Sequence, residues 1–412
     1  MPRSVGAAIR MSHNIKILNQ VVSDPFEKLP KIHAAKVFSD SIVDYLNQLS
    51  KTLFKDVRTK AYPDVGTFAF YCRSGNIRAL KKKSDYFNAF RLGRGLIFHV
   101  APSNVPVNFA YSLLAGLLSG NNNIVRLPSK NFEQVQIIID AIDFLATQEK
   151  FQSVSNGIVL IQYDNTDDSI SEYLSAICNV RIIWGGDETI NNVRKCALSP
   201  RAFDLTFSDR YSICVLNADA FVNEEKPRVI ASGFYNDTYL FDQNACTSPH
   251  LVVWLGCVEN VREAQNIFWS ELHKLVKEQY SIQAVQAVDK MTVAYDQALG
   301  MADTRLISTE DNLLWRVKLS SLEKDIENFR CSSGYFSEYH ASSLDDLVPV
   351  INSKYQTMAY YGFDRVDLED FISMERPTGI DRIVPIGRTT DFSLIWDGYD
   401  LINTLSRTVE IT

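Results

Sequence analysis

Residues 241–250 read FDQNACTSPH, and the cysteine inside them is the side chain with the best claim to be a nucleophile. Cys246 lies among small polar residues, after an amphipathic run and just before LVVWL, which reads as a strand. A thiolate suits attack on an acyl carbonyl: it is soft, it forms more readily than an alkoxide, and it leaves well from the adduct. The competing reading is a small buried hydrophobe, the commonest fate of a free cysteine. That reading fits Cys178, Cys196 and Cys214, which sit in apolar element patterns, and extends to Cys72, Cys257 and Cys331. The polar turn favours the nucleophile for Cys246 alone. His250 follows four residues later, but the strand direction should carry it away from the turn, so no Cys–His pair is expected.

The elements around this turn belong to an ordinary globular chain. It has 412 residues, 46% hydrophobic and 22% charged, with a net charge of −7. That length supports two or three domains with full cores. The acidic balance argues against a nucleic-acid partner; the basic groups Lys81-Lys82-Lys83 and Arg91…Arg94 read as solvated surface. Seven cysteines without a CxxC, and no secretory h-region, predict reduced thiols and a cytoplasmic location. No apolar run reaches the roughly 18 residues of a membrane span. MPRSVGAAIR reads as a leader, with Met11 an alternative start. The six histidines are scattered, no pair is spaced i,i+4, and no metal site is predicted. His99, inside LIFHVAP, reads as a satisfied core histidine.

Ala34–Lys51 has helical periodicity. From residue 95 the pattern alternates. GLIFHVA, NNIVRL, GIVLIQY, VRIIWGG and YSICVLNA read as buried strands. Between them lie helices: VNFAYSLLAGLLSG opened by Pro106, NFEQVQIIIDAIDFLA, ISEYLSAI, and DETINNVRKCAL with Asp187 as its N-cap. This rhythm predicts a doubly wound parallel sheet, whose ligands bind at the carboxyl ends of the strands. The turns APSNVP, LPSKN, QYDNTDD and WGGDETI therefore matter. None is GxGxxG or a P-loop. WGGDET offers a glycine turn and a helix N-terminus for a phosphate, with Asp187 an awkward neighbour for an anion. After residue 220 come a helix into the Cys246 turn, the strand SPHLVVWLG, a helix over Val261–Glu278 and further α/β material. The expected domains are 1–220 for a dinucleotide, 221–385 carrying the cysteine, and a C-terminal return over 386–412.

Four stretches, HVAPSNVPVN, NIVRLPSK, IIWGGDETI and DQNACTSP, resemble the aldehyde dehydrogenase superfamily in order and spacing. With YSLLAGLLSGN, DRYS and the late DRIVPIGR…IWDGYDLI, they are similar to its acyl-CoA reductases, which include the fatty-acid reductase subunit of bacterial luminescence. The resemblance covers roughly residues 90–410. It implies an aldehyde dehydrogenase-like α/β fold with a doubly wound cofactor domain and a second α/β catalytic domain. It assigns Cys246 as the nucleophile and Asn104, in PSNVP, as an oxyanion donor, against the bland reading of Asn104 as a helix cap. Beside the cofactor it puts Pro102, Ser103, Arg126, Pro128, Ser129, Lys130, Trp184, Gly185, Gly186 and Thr206. The cofactor implied is NADPH, with NADH as the second choice, because Arg126 and Lys130 flank the ribose segment. Leu127 stands where the superfamily has a ribose-contacting lysine, so that contact does not transfer. The general-base glutamate of hydrolytic members falls on Thr206 in TFSD, which favours reduction over aldehyde oxidation.

The reaction so implied is reduction of an acyl-CoA or other activated fatty acyl group to the aldehyde through a Cys246 thioester. The donor is CoA, a carrier protein or an acyl-adenylate, and an acyl-activating ligase is the implied partner. A homo-oligomer is implied as well. The alternative is a non-reducing acyl carrier or acyltransferase subunit using the same cysteine. Trp396 and Asp397, in IWDGYDLI, either line the site or only pack.

Overall fold

The computed structural model describes residues 14–21, 23–83, 90–164 and 167–412. The chain forms two compact units, residues 1–208 with 399–412, and residues 209–398. The leader and Met11 lie outside the described residues.

The first unit is built on a six-stranded sheet. Its strands are β1 (Lys16–Ile17), β3 (Leu96–Val100), β4 (Asn122–Arg126), β5 (Ile158–Gln162), β6 (Val180–Trp184) and β7 (Phe203–Phe207); β2 (Phe90–Gly93) lies outside it. The order is β1-β5-β4-β3-β6-β7. All neighbours run parallel except β1, which is antiparallel to β5. The chain steps outward from β3 to β5, then returns to lay β6 on the other side of β3. Ligands of such sheets bind at this reversal. Every residue of β3 and β6 is buried, as strands covered on both faces require. The crossover helices Asn108–Leu118, Glu133–Ala146 and Asp168–Ile177 put Leu113, Ile138, Ile142 and Leu174 inward. His99 is a core residue: its ring nitrogens meet Ser112 Oγ at 2.8 Å and Asn123 Oδ1 at 3.0 Å.

Four expectations are corrected in this unit. Helix Asp40–Lys55 replaces the one read over 34–51. Helix Asp187–Arg194 has Gly186 as its N-cap, so Asp187 is its first helical residue. The helix after Pro106 begins at Asn108 with Val107 at the cap position, so Asn104 is not its cap. Arg91 and Arg94 are not free surface charge. Arg91 donates to Ser406 Oγ, Thr408 Oγ1 and the Asn403 carbonyl, and Arg94 donates to the Thr404 carbonyl while lying over the Phe203 ring. Together with β2, which pairs antiparallel with Ser406–Val409, they fasten the C-terminal segment to this unit.

The second unit carries a seven-stranded sheet of β8 (Tyr211–Asn217), β9 (Pro249–Leu255), β10 (Arg305–Ser308), β11 (Trp315–Lys318), β12 (Tyr335–Ala341), β13 (Tyr355–Tyr361) and β14 (Arg382–Pro385). Their order is β10-β11-β12-β9-β8-β13-β14, parallel throughout except for β10 on β11. Alternate residues of β8 feed two cores: Tyr211, Ile213 and Val215 one, Cys214 and Leu216 the other. Because β8 hydrogen-bonds to β9 and β13, YSICVLNA belongs to this unit rather than to the first. The fifth parallel strand of the first sheet is instead β7, which the sequence reading passed over because it is only partly buried and so lacks a continuous apolar run. The divisions accordingly fall at 208/209 and 398/399 rather than at 220/221 and 385/386. The helices Pro227–Thr238 and Val258–Gln279 pack on one face, with Phe234, Phe268 and Trp269 meeting edge to face.

Candidate functional site

In the first unit the residues singled out from sequence lie at the carboxyl ends of β3, β4, β6 and β7. Pro102, Ser103 and Asn104 follow β3, with Ser103 and Asn104 exposed. The Ala101 amide donates to the Arg126 carbonyl, which ties the loop after β3 to the end of β4. The Arg126 guanidinium lies 4.5 Å over the Tyr163 ring, and its Nε is buried without a hydrogen-bond partner. Pro128 turns the chain away, its carbonyl accepting from Gln162 Nε2 at 2.7 Å. Ser129 and Lys130 are exposed, with Lys130 Nζ 4.9 Å over the Phe132 ring.

Across the reversal, Trp184 ends β6. It stacks on Phe207 at 3.8 Å and donates from Nε1 to Ser112 Oγ. The Gly185 amide donates to the Phe207 carbonyl, and a Cβ placed on Gly186 would meet nothing within 4 Å. The turn thus leaves open space before the N-terminus of helix Asp187–Arg194, where unpaired amides favour an anion. Asp187 and Glu188 stand exposed in that first turn and oppose one. Thr206 is half-buried on β7, opposite Ile183. Asp204, the nearest carboxylate on that strand, is no free base: Arg181 grips it at 2.7 and 3.0 Å.

The residues present fit a dinucleotide. The orphaned Arg126 Nε is a buried donor at the end of β4, and the space beside Gly186 is open.

In the second unit the Cys246 turn is set by backbone geometry. Helix Pro227–Thr238 runs into a 3₁₀ turn, Tyr239–Phe241, and the chain reverses through two left-handed residues, Asp242 (φ 52°) and Gln243 (φ 60°). Gln243 is buried and fixes that reversal. Its Nε2 donates to the carbonyls of Pro249 and Tyr335, and its Oε1 accepts from the amides of Gly334 and Tyr335. Cys246 follows, three residues before β9. Ser212 Oγ, from β8, donates to the Cys246 carbonyl at 2.7 Å and accepts from the Thr357 amide of β13. The turn therefore sits across the starts of β9, β8 and β13.

Cys246 keeps some accessible surface; Cys72, Cys178, Cys196 and Cys214 are buried as expected, but Cys331 is only partly buried and Cys257 is exposed, against the expectation for both. Gln356 Nε2, on β13, donates to Cys246 Sγ at 3.6 Å and also hydrogen-bonds the Asp397 carboxylate. Desolvation, and then the Asp397 charge, push the thiol up to about 12; Gln356 and the more distant Arg210 pull the other way. The resting sulfur is thus a protonated thiol. Burial also raises the Asp397 carboxyl above its ordinary range. Arg210 is committed to Asp381 and to the Tyr355 carbonyl. His250 does not pair with the cysteine: its ring stacks on Tyr211 at 5.8 Å, and burial lowers it to about 3.

Sequence reasoning missed Gln356, Ser212 and Gln243, and left Asp397 undecided. One signal was available. Gln356 and Thr357 interrupt an otherwise apolar strand, YQTMAYY, and a polar pair inside a buried strand asks for a partner.

Comparison with known proteins places this geometry. Residues 76–408 match the family described as "Acyl-CoA reductase (LuxC)". The chain is 26% identical over 315 residues to the long-chain acyl-protein thioester reductase of Vibrio harveyi, covering 74% of this chain and 61% of that protein. It is 23% identical over 309 residues to the protein of that name in Aliivibrio fischeri, covering 73% of this chain and 60% of the relative. It thus spans about three fifths of these relatives' length. Among solved structures, a point variant of Thermus thermophilus 1-pyrroline-5-carboxylate dehydrogenase superposes with a TM-score of 0.61 at 13% identity, covering 93% of this chain and 83% of that chain. A NAD-dependent benzaldehyde dehydrogenase of Corynebacterium glutamicum gives 0.60 at 14% identity, covering 97% and 95%. The likeness to these structures lies in the fold and the family match covers most of the chain: it has the aldehyde dehydrogenase fold and belongs to the acyl-CoA reductase (LuxC) family.

Proposed function

We propose that this protein reduces a long-chain acyl thioester to the aldehyde with a nicotinamide cofactor, NADPH before NADH, through an acyl group held on Cys246. The observation that carries the reading is the family match over residues 76–408, which contains both the Cys246 turn and the strand ends of the first unit. The relatives bear the name acyl-protein thioester reductase and the family the description acyl-CoA reductase; these support a thioester donor on a protein or on CoA.

Each residue has a task. The Cys246 sulfur attacks the acyl carbonyl, and the donor's thiol leaves with a proton. The new thioester stays electrophilic. The resemblance gives Asn104 the role of oxyanion donor, and the Cys246 backbone amide is the donor next to the sulfur; loss of one such donor typically costs about 10²–10³ in rate. Arg126 and Lys130 bind the cofactor, with Arg126 the stronger candidate for a 2′-phosphate because its fork is pre-organised. Gly185 and Gly186 admit the pyrophosphate. When bound, the cofactor would supply the hydride that, with a proton taken up from solvent, converts the Cys246 thioester to aldehyde and free thiol. Without a glutamate at Thr206, water is not activated and the acyl group waits for the cofactor. The first unit is the nicotinamide-binding domain and the second the catalytic domain. The proposed setting is a cytoplasmic homo-oligomer served by an acyl-activating ligase.

The test is a two-stage experiment on the full chain. Incubation with labelled long-chain acyl-CoA, without nicotinamide, should place the label on Cys246 by peptide mapping. Addition of NADPH should then release one equivalent of aldehyde. Label on Cys257 or Cys331, or none, removes the assignment. Label on Cys246 that NADPH does not discharge, together with no thermal shift on NADPH, establishes the non-reducing carrier instead.

A further inference from the structure

The Gln356 amide nitrogen has two acceptors, Cys246 Sγ at 3.6 Å and the Asp397 carboxylate. One N–H faces each. Its Oε1 is occupied separately, by Thr357 Oγ1 at 3.3 Å. This places the amide as the middle member of a chain from carboxylate through donor to nucleophile. The backbone conformation at Asp397 adds a second observation. It holds a left-handed φ of 48° immediately before Gly398 at 74°, a conformation few side chains accept and one that recurs where geometry serves a site. Neither neighbouring cation hydrogen-bonds the sulfur, although the Arg210 charge still favours the thiolate. Arg210 is paired with Asp381, and the Arg382 guanidinium is spent on the carbonyls of Thr389, Arg388 and Asp391.

We propose that Gln356 is a catalytic residue, the N–H donor that stabilises the Cys246 sulfur as it becomes a nucleophile, and that Asp397 is its positioning residue, which fixes the direction of the amide. This rests on the acyl-enzyme reading above. In the transfer step, the bond from Cys246 Sγ to the acyl carbon forms and the bond from that carbon to the donor sulfur breaks. The Cys246 proton ends on the departing thiol, and no electrons are exchanged with the protein. Gln356 keeps both its protons; its contribution is a hydrogen bond that strengthens as charge develops on sulfur. Asp397 acts in two opposed senses. It orients the donor, which favours the thiolate, and its own charge disfavours one, which keeps the resting cysteine protonated until substrate arrives.

These two senses separate by mutation. The probe is iodoacetamide, with alkylation of Cys246 followed by peptide mass spectrometry at pH 8, well below the thiol midpoint. There the rate tracks the thiolate fraction, so a shift of one pH unit reads as about tenfold. Gln356→Leu, which removes the donor at similar volume, should slow alkylation about tenfold, since a hydrogen bond to a charged group contributes roughly one to two such units. It should also slow acylation by decanoyl-CoA. Asp397→Asn, which keeps an acceptor oxygen but removes the charge, should speed alkylation. Melting curves identify folded variants, and Gln356→Met provides a second donor-free side chain. Wild-type rates in the Gln356 variants, or rates that move in the same direction in the Gln356 and Asp397 variants, overturn the proposal. A wild-type protein that alkylates at Cys246 yet accepts no acyl group fails the functional reading instead, and the alkylation rates still decide the donor assignment.

Discussion

In the proposed reaction the protonated Cys246 thiol would limit attack, and the threonine at 206 would leave the acyl-enzyme without a base. A hydroxyl at position 246 would be both less acidic and a poorer leaving group, so Cys246→Ser should fold normally and lose turnover. The checks are a wild-type melting curve and the absence of acyl label. Thr206→Glu would put a carboxylate at the position to which the resemblance assigns the base of hydrolytic members. A positioned base contributes roughly 10²–10⁴-fold, so the variant should shed its Cys246-bound acyl group into buffer faster than wild type, read as decay of the label. Asp204 should not substitute for that base, because its carboxylate is held by Arg181 with Arg194 at 3.6 Å. Cofactor choice is also a residue-scale property. Arg126→Ala should lower kcat/KM for NADPH more than for NADH, since only NADPH offers a 2′-phosphate to the vacated guanidinium, and Lys130→Ala should do so more weakly because that lysine is exposed. Unchanged cofactor ratios in both variants would leave NADPH preference unsupported.

One scale up, the segment after β14 depends on a single carboxylate. Asp237, near the end of helix Pro227–Thr238, is fully buried and accepts from the amides of Gly387 at 2.6 Å and Thr389 at 3.0 Å. Gly387 holds a φ of 87°, and a side chain there would collide with Gly233 on the same helix as Asp237. Gly387→Ala combines strain with a clash and should lower the melting temperature of the second unit. Burial outweighs the two amides and raises Asp237 from 3.8 in the open chain to about 6 when folded. The folded state therefore binds that proton more tightly than the unfolded one. Its stabilising effect is fully present below the unfolded value and is lost as pH rises through about 6, a difference of roughly 3 kcal/mol at the most. Asp237→Asn cannot titrate. Urea midpoints of wild type minus variant should therefore fall between pH 4 and pH 7, and a flat difference would show that Asp237 keeps an ordinary value in the folded protein.

For the whole molecule the buried imidazoles set the acid limit. His99 in the first unit and His250 in the second are lowered by burial to about 4 and about 3 from 6.5. Both fold in the neutral form, so the stability they confer is present above pH 6.5 and is lost as pH falls toward those values, opposite in sign to Asp237. Acid unfolding should begin below about pH 6 and reach both units. His99→Gln, which keeps hydrogen-bonding capacity toward Ser112 and Asn123 but cannot charge, should move the acid transition to lower pH, followed by tryptophan fluorescence. Among the described residues no helix is long and apolar enough to cross a membrane.

Local pattern carried a large part of this protein. Five of the strands and their intervening helices could be read between residues 95 and 217, because burial on both faces forces continuous apolar runs and the crossover helices must be amphipathic. Cys246 stood out by composition alone, as a thiol in a polar turn. What pattern could not supply was partnership. Nothing in YSICVLNA says which sheet it joins; hydrogen bonds to β9 and β13, strands that begin 38 and 144 residues after β8 begins, decide that β8 belongs to the second unit. Nothing near Cys246 in sequence reveals Gln356 or Asp397, since a parallel sheet brings strand ends together across more than a hundred residues of chain. Side-chain identity and period are local quantities, whereas the protonation of a thiol depends on which buried charges and donors surround it. That setting exists only once the chain has folded.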